Sequence, residues 1–130
     1  MKKLLPIILF LPFFSFAQTE WEYIGRGKDK SEFYMKDYRK KQYSDQVEAW
    51  VKIIEPVKIV KTKKGTVKKS EIVSLQKFKF RCVEKTVALI SYADYRNGIL
   101  IRSGDGSESE ETIFPDSVGE SLLNYVCSKF

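Results

Sequence analysis

The feature that most constrains the fold of this chain is its single pair of cysteines, Cys82 and Cys127. The N-terminus indicates export, and an oxidising compartment lets cysteines pair, so we expect one disulfide that ties a strand to a C-terminal helix. A closed loop of this size stabilises a domain by roughly 4 kcal/mol in the chain-entropy model, against a total of roughly 5–15 kcal/mol. Two buried free thiols are the alternative.

The first seventeen residues have the three parts of a secretory signal peptide. Lys2 and Lys3 precede an apolar run, residues 4–14, and Ser15-Phe16-Ala17 forms a small-x-small cleavage site. The apolar run is shorter than the roughly 20 residues that span a bilayer, so a retained membrane anchor is the less favoured alternative. We predict export to the periplasm, to the outer surface or into the medium.

The predicted domain organisation is a signal peptide, residues 1–17, followed by one domain, residues 18–130. Cleavage removes two lysines, so the 23 Lys and Arg residues fall to 21 against 17 acids, and the net charge falls from +6 to +4. A mature chain of about 113 residues is large enough for a single core and too short for two domains. The predicted disulfide therefore belongs to a small, mildly basic domain.

The chain contains no histidine, which excludes most familiar catalytic designs. A Ser-His-Asp or Cys-His relay lacks its imidazole, and a disulfide-bonded cysteine is not a nucleophile. The acids cluster in hydrophilic stretches such as residues 107–111, and residues 104–108 are interpreted as a solvated hairpin loop because they lack the spacing of a calcium loop. No dinucleotide or Walker motif occurs. We therefore predict a protein that is not an enzyme and has no cofactor and no metal.

Period-two alternation of aromatic and β-branched residues predicts antiparallel strands through most of the mature chain. The predicted strands are residues 21–24, 33–36, 46–54, 70–82, 85–95, 99–102 and 112–114. Val47, Ala49, Val51 and Ile53 alternate onto one face of the third strand. Val87, Leu89, Ser91 and Ala93 alternate onto one face of the predicted strand at residues 85–95. Asn97-Gly98 predicts a type I′ hairpin turn, because both central residues of that turn need positive φ.

The last segment changes to helical spacing. Ser117 is the predicted N-cap, and Glu120 completes a capping box. The apolar stripe consists of Val118, Leu122, Leu123, Tyr125, Val126 and Cys127. The predicted fold class is α+β: an antiparallel β-sheet of about six strands with a C-terminal α-helix packed on it and one disulfide.

Two surface features are candidate binding sites. The first is a protruding hairpin at residues 57–69, whose lysines are Lys58, Lys61, Lys63, Lys64, Lys68 and Lys69. These lysines could attract an acidic protein or an anionic glycan, or they could simply keep an exposed hairpin soluble. The second is the group Tyr34, Tyr38 and Tyr43, which is a recognition surface if all three are exposed; the alternative is that one packs in the core.

A recognisable set of residues runs through the second half of the chain: Trp50, Ser70 leading into K-F-K-F-R-C at 77–82, Tyr95, Asn97-Gly98, I-F-P-D-S-V-G-E at 113–120, Tyr125 and Cys127. In these residues the chain resembles the bacterial surface adhesin protein E family, over residues 50–127. Arg81 and Thr112 depart from the family pattern, and neither position is needed for the core or the disulfide. The resemblance implies a small, exported, disulfide-linked domain that binds extracellular host proteins such as laminin or vitronectin.

The predicted function is an exported, non-enzymatic binding module that contacts a host, extracellular-matrix or envelope protein. The rivals are a periplasmic or envelope accessory protein and a carrier of a small ligand between sheet and helix. Nucleic acid is not expected as a partner, because the domain is exported and lacks aromatic residues interleaved with its basic stretch. Exposed strand edges allow a homodimer.

Overall fold

The computed structural model describes residues 20–69 and 71–130, and at residues 60 and 67–69 only the strand pairing is described. The elements in this part are β1 (Glu22–Arg26), β2 (Glu32–Lys40), β3 (Gln46–Glu55), β4 (Lys58–Thr62), β5 (Gly65–Lys69), β6 (Ile72–Arg81), β7 (Thr86–Arg96), β8 (Ile99–Asp105), β9 (Glu111–Thr112) and α1 (Val118–Cys127). In the same part, no helix has the length and apolar character needed to cross a membrane. The predicted signal peptide and the predicted start of a strand at Ser70 lie outside the described residues.

The strands form one large antiparallel sheet in the order β1-β2-β3-β6-β7-β8, and β9 pairs with the start of β7. A separate two-stranded sheet consists of β4 and β5. The predicted α+β class, the C-terminal helix and the disulfide between Cys82 and Cys127 are all confirmed.

The hydrophobic core lies between α1 and one face of the sheet, which we call the inner face; the opposite side is the outer face. Its buried side chains are Met35, Val47, Ala49, Val51, Phe80, Leu122, Leu123 and Val126. Helix α1 starts as predicted, because the Ser117 hydroxyl accepts a hydrogen bond from the Glu120 N–H at 3.2 Å. At its other end Cys127 is bonded to Cys82, which follows β6 directly. The helix is thus fastened at its last turn as well as by its apolar stripe.

The hairpin turn between β7 and β8 has the predicted geometry. Asn97 and Gly98 have φ values of 53° and 74°, both in the left-handed region that a type I′ turn requires. Gly98 adopts this conformation without steric cost, and asparagine is among the residues that tolerate it best. The local sequence alone was sufficient here because the turn depends on only two residues.

Strand β7 departs from the predicted alternation. Leu89 pairs with Phe78 and Ser91 with Lys77, so Ile90 is an extra residue that shifts the register. Beyond this bulge the side chains that alternate with Leu89 change faces, because side-chain direction has a period of two. The prediction that Val87, Leu89, Ser91 and Ala93 share one face is therefore wrong beyond Leu89.

One consequence of the bulge is a buried polar cluster that links three strands. Asp94 is 5 % exposed. Its carboxylate accepts hydrogen bonds from the Ser74 hydroxyl at 2.5 Å and from the Arg102 Nε at 2.8 Å. Gln76 donates in turn to the Ser74 oxygen at 3.2 Å. The cluster joins β6, β7 and β8 on the part of the inner face beyond the apolar core.

We expect Asp94→Ala to lower the free energy of unfolding by about 2 kcal/mol, because it leaves the buried Ser74 hydroxyl without its acceptor and removes the Arg102 ion pair. Urea-induced unfolding measures the loss. The matched control is Asp105→Ala, which removes an exposed carboxylate from β8 and should change stability by no more than about 0.5 kcal/mol. Equal losses for the two variants would contradict a structural role for the buried cluster.

Candidate functional site

The predicted lysine-rich hairpin is formed by β4 and β5 with the turn at Lys63 and Lys64, and we call it the basic arm. Strands β3 and β6 pair as far as Glu55 opposite Ile72, and the chain then continues outward as β4 and β5. In the described part of the chain, β4 and β5 pair with each other and with no strand of the large sheet. The arm is therefore an extension of the central hairpin beyond the edge of the core.

The arm exposes both positive charge and apolar surface. Its exposed lysines with described side chains are Lys58, Lys61, Lys63 and Lys64. Ile59 is 72 % exposed. The register places Lys58 opposite Lys69 and Ile59 opposite Lys68. Like charges directly opposite each other destabilise a strand pair, and an isolated two-stranded hairpin is at best marginally stable. Binding of an anionic partner would offset the repulsion between opposed lysines and stabilise the hairpin.

The three candidate tyrosines do not come together. Tyr34 lies on the outer face and donates a hydrogen bond to Glu32 at 2.8 Å, which raises the pKa of the phenol. Tyr38 packs against the core, where burial raises the pKa of its phenol. Tyr43 is 98 % exposed in the turn after β2.

A β-bulge explains why Tyr34 and Tyr38 are separated. Lys36 pairs with Trp50 and Arg39 with Glu48, so β2 carries one extra residue between these two pairs. Asp37, within the bulge, has a φ of 57°, which is unusual for a residue other than glycine. The extra residue turns Tyr38 to the inner face and Arg39 to the outer face, which sequence periodicity does not reveal.

The outer face also carries a cluster of lysines and aromatic rings that the sequence analysis missed. The Lys36 and Lys52 ammonium groups lie 4.5 Å and 4.9 Å from the centroid of the Trp21 ring. Lys52 also lies 4.8 Å from the Tyr34 centroid, and Tyr23 packs edge-on against Tyr34 with centroids 5.4 Å apart. Trp21 directly precedes β1, and the other residues come from β1, β2 and β3, so only the sheet register brings them together.

The two clustered lysines influence each other. Partial burial lowers the pKa of Lys52, and the positive charge of Lys36 lowers it further. Cation–π interactions with the aromatic rings stabilise both ammonium groups. Among the described residues neither lysine has a carboxylate within salt-bridge distance. The cluster is therefore a cationic site without an acidic partner.

The carrier hypothesis requires a pocket between Trp50 and the helix. Trp50 alternates with the buried residues Ala49 and Val51, so its side chain lies on the outer face, away from α1. Close to α1, a cavity of about 70 Å³ lies between Ile24, Phe33 and Val118, which is too small for a ligand pocket of the usual size, about 300–1,000 Å³. A larger cavity of about 760 Å³ lies beside the start of α1, but its lining is mostly polar and charged and does not include Trp50. Neither cavity is the pocket between Trp50 and the helix that the carrier hypothesis requires.

The last strand of the large sheet is β8, whose side chains are exposed throughout. Ile99, Leu100 and Ile101 are 68 %, 51 % and 51 % exposed. Unpaired backbone groups and apolar side chains on an edge strand favour pairing with another chain. The homodimer stays a prediction, and β8 is where we would expect it.

Comparison with known proteins gives one match. The model of a family described as surface-adhesin protein E matches residues 21–128. The matched region contains all the described strands, α1 and both cysteines of the disulfide. No curated protein and no solved structure matches the chain.

Proposed function

Because the chain belongs to the surface-adhesin protein E family, we propose that it is an exported, non-enzymatic module that binds a host or extracellular-matrix protein through its basic arm. The family is described as one of surface adhesins, and an adhesin acts by binding rather than by catalysis. Family membership does not identify the partner or the surface that contacts it, and both are proposed.

The observation that carries the proposal is the geometry of the basic arm. It projects from the central strands, its exposed lysines surround the turn, and Ile59 offers apolar surface beside them. Exposed charge of one sign steers an oppositely charged partner during encounter, and adjacent apolar surface contributes affinity after contact. An acidic face of an extracellular protein has the complementary chemistry.

The binding role of the arm is tested by measuring affinity for laminin and vitronectin, the host proteins that the family resemblance implies. We expect the triple variant Lys61→Gln, Lys63→Gln, Lys64→Gln to weaken binding by about tenfold at low salt, because three exposed ion pairs of about 0.5 kcal/mol each are lost. Surface plasmon resonance on immobilised matrix proteins measures this. The effect should shrink as salt screens the charges.

The matched control has the same charge change at three exposed cations outside the arm: Lys28→Gln, Lys85→Gln and Arg96→Gln. If control and arm variants lose the same affinity, net charge rather than the arm is responsible. If the arm variant binds as tightly as the unmodified protein, the lysines only keep the hairpin soluble. If the unmodified protein binds neither matrix protein, the proposed adhesive function is wrong.

We further propose that residues 1–17 direct export and that the domain is displayed on the outer surface. Protease added to intact cells should then degrade the protein. Protection until the outer membrane is opened would instead favour a periplasmic accessory role.

A further inference from the structure

The β2 bulge opens a cavity of about 470 Å³ on the outer face. Trp50 forms part of its lining, together with Arg39 and Lys77 from the flanking strands. Arg39 reaches this face only because the bulge reverses the alternation of β2. The volume falls within the roughly 300–1,000 Å³ of small-ligand pockets.

A second cavity of about 310 Å³ adjoins the first and shares Arg39 and Glu48 with it. Its further lining includes Lys40 and Lys41 at the end of β2. We call the two adjoining cavities together the outer groove. Two adjoining cavities can hold successive units of a chain as well as a single small molecule.

The outer groove is lined by more cations than acids. Its lining cations are Arg39, Lys41 and Lys77, together with Lys40, whose side chain the register opposite Val47 turns to the inner face; its lining acids are Asp37 and Glu48. The Lys77 ammonium lies 3.7 Å from the Glu48 carboxylate, so one of the two acids already has a partner. The guanidinium of Arg39 is suited to bidentate contact with a carboxylate or a sulfate. Charge complementarity therefore favours an anionic occupant.

The groove leads directly to the lysine and aromatic cluster. Lys36 is the cross-strand partner of Trp50, and its ammonium group stacks on Trp21. Lys52 lies over the same ring, 4.9 Å from its centroid. An acidic substituent near both ammonium groups would offset the charge of Lys36, which adds to the larger effect of partial burial in lowering the pKa of Lys52. Cationic groups thus alternate with two indole rings along the outer face.

We propose that the outer groove and the Trp21 cluster bind an acidic polysaccharide, a chain of sugars that carries sulfate or carboxylate groups. The apolar face of one sugar ring would lie on Trp50, while neighbouring acidic groups contact Arg39 on one side and Lys36 with Lys52 on the other. Lysines alone would serve any polyanion, but half-buried indole rings between them provide flat apolar surface that a sugar ring can use. The site is separate from the basic arm and does not depend on the arm's protein partner.

The test uses the intrinsic fluorescence of the protein, because both tryptophans of the chain lie at the proposed site. The probe is a heparin-derived hexasaccharide, a sulfated sugar chain of defined length. We expect saturable quenching or a spectral shift on titration, with Trp50→Phe leaving only the Trp21 response. A spectrum that does not change up to millimolar hexasaccharide would overturn the proposal.

The double variant Lys36→Gln, Lys52→Gln should weaken binding by about tenfold or more while keeping the thermal unfolding midpoint. The matched control, Lys28→Gln with Lys85→Gln at two exposed lysines outside both proposed surfaces, has the same charge change and should bind as tightly as the unmodified protein. Equal weakening by both double variants would show a nonspecific response to net charge and would contradict the proposed site.

Two further probes separate sugar recognition from general attraction of anions. Neutral maltohexaose should bind far more weakly than the sulfated hexasaccharide, because it lacks the acidic groups. A polyglutamate peptide of equal charge should compete poorly, because it has no sugar ring to stack on Trp50. If polyglutamate competes as well as the sulfated sugar, the groove is a general polyanion surface and the glycan proposal is wrong.

Discussion

Replacing both Cys82 and Cys127 by serine is expected to lower the free energy of unfolding by about 4 kcal/mol. The disulfide closes a loop between residues 45 positions apart, and opening that loop restores conformational freedom to the unfolded chain. It also releases the last turn of α1 from the end of β6. A ten-residue helix is marginal by itself in water, so the helix depends on this anchor and on its apolar stripe.

Chemical denaturation with and without reductant tests this prediction. The unmodified protein should lose about the same stability when reductant is added, whereas the double serine variant should not respond to reductant. Circular dichroism should report loss of the helix together with the sheet if the domain unfolds as a unit. A double serine variant that unfolds at the same denaturant concentration as the disulfide-bonded protein would contradict the expected role of the bond.

Phe80→Ala is expected to cost about 3–5 kcal/mol of stability. Phe80 is 1 % exposed and is among the largest fully buried side chains of the described core. It pairs across the sheet with Val47 on one side and Val87 on the other, and its ring lies 5.9 Å from that of Phe78. Truncation therefore removes buried apolar area and leaves a cavity at the centre of the core.

The matched control is Phe114→Ala, the same truncation at a side chain that is 71 % exposed. We expect a change of no more than about 0.5 kcal/mol for this variant. The same urea experiment measures both variants. Comparable losses at positions 80 and 114 would mean that the core does not lie where the structure places it.

Much of the fold could be predicted because its signals are local. The Asn97-Gly98 turn depends on two adjacent residues, and the Ser117 cap depends on the first turn of the helix. The alternation in β3 depends on a single strand. The disulfide followed from the predicted export signal and from the presence of only two cysteines. None of these inferences required knowledge of which strands are neighbours.

The candidate binding surfaces were predicted less completely. The basic arm is continuous in sequence, so its lysines could be found by reading along the chain. The outer groove could not be found in this way, because Arg39, Trp50 and Lys77 lie on three different strands, β2, β3 and β6, and meet only through the sheet register. The tyrosine group failed to form because one extra residue in β2 places Tyr34 and Tyr38 on opposite faces.

The sequence by itself determined the strand and helix types, the turn, the helix cap and the covalent pairing of two cysteines, because each of these depends on local conformational preference or on composition. Tertiary structure alone decided which side chains share the outer face. The register of each strand pair depends on its neighbours, and a single bulged residue reverses every later side chain, as Arg39 on β2 demonstrates. The disulfide holds this scaffold together, while the bulge shapes the surface that we propose for binding.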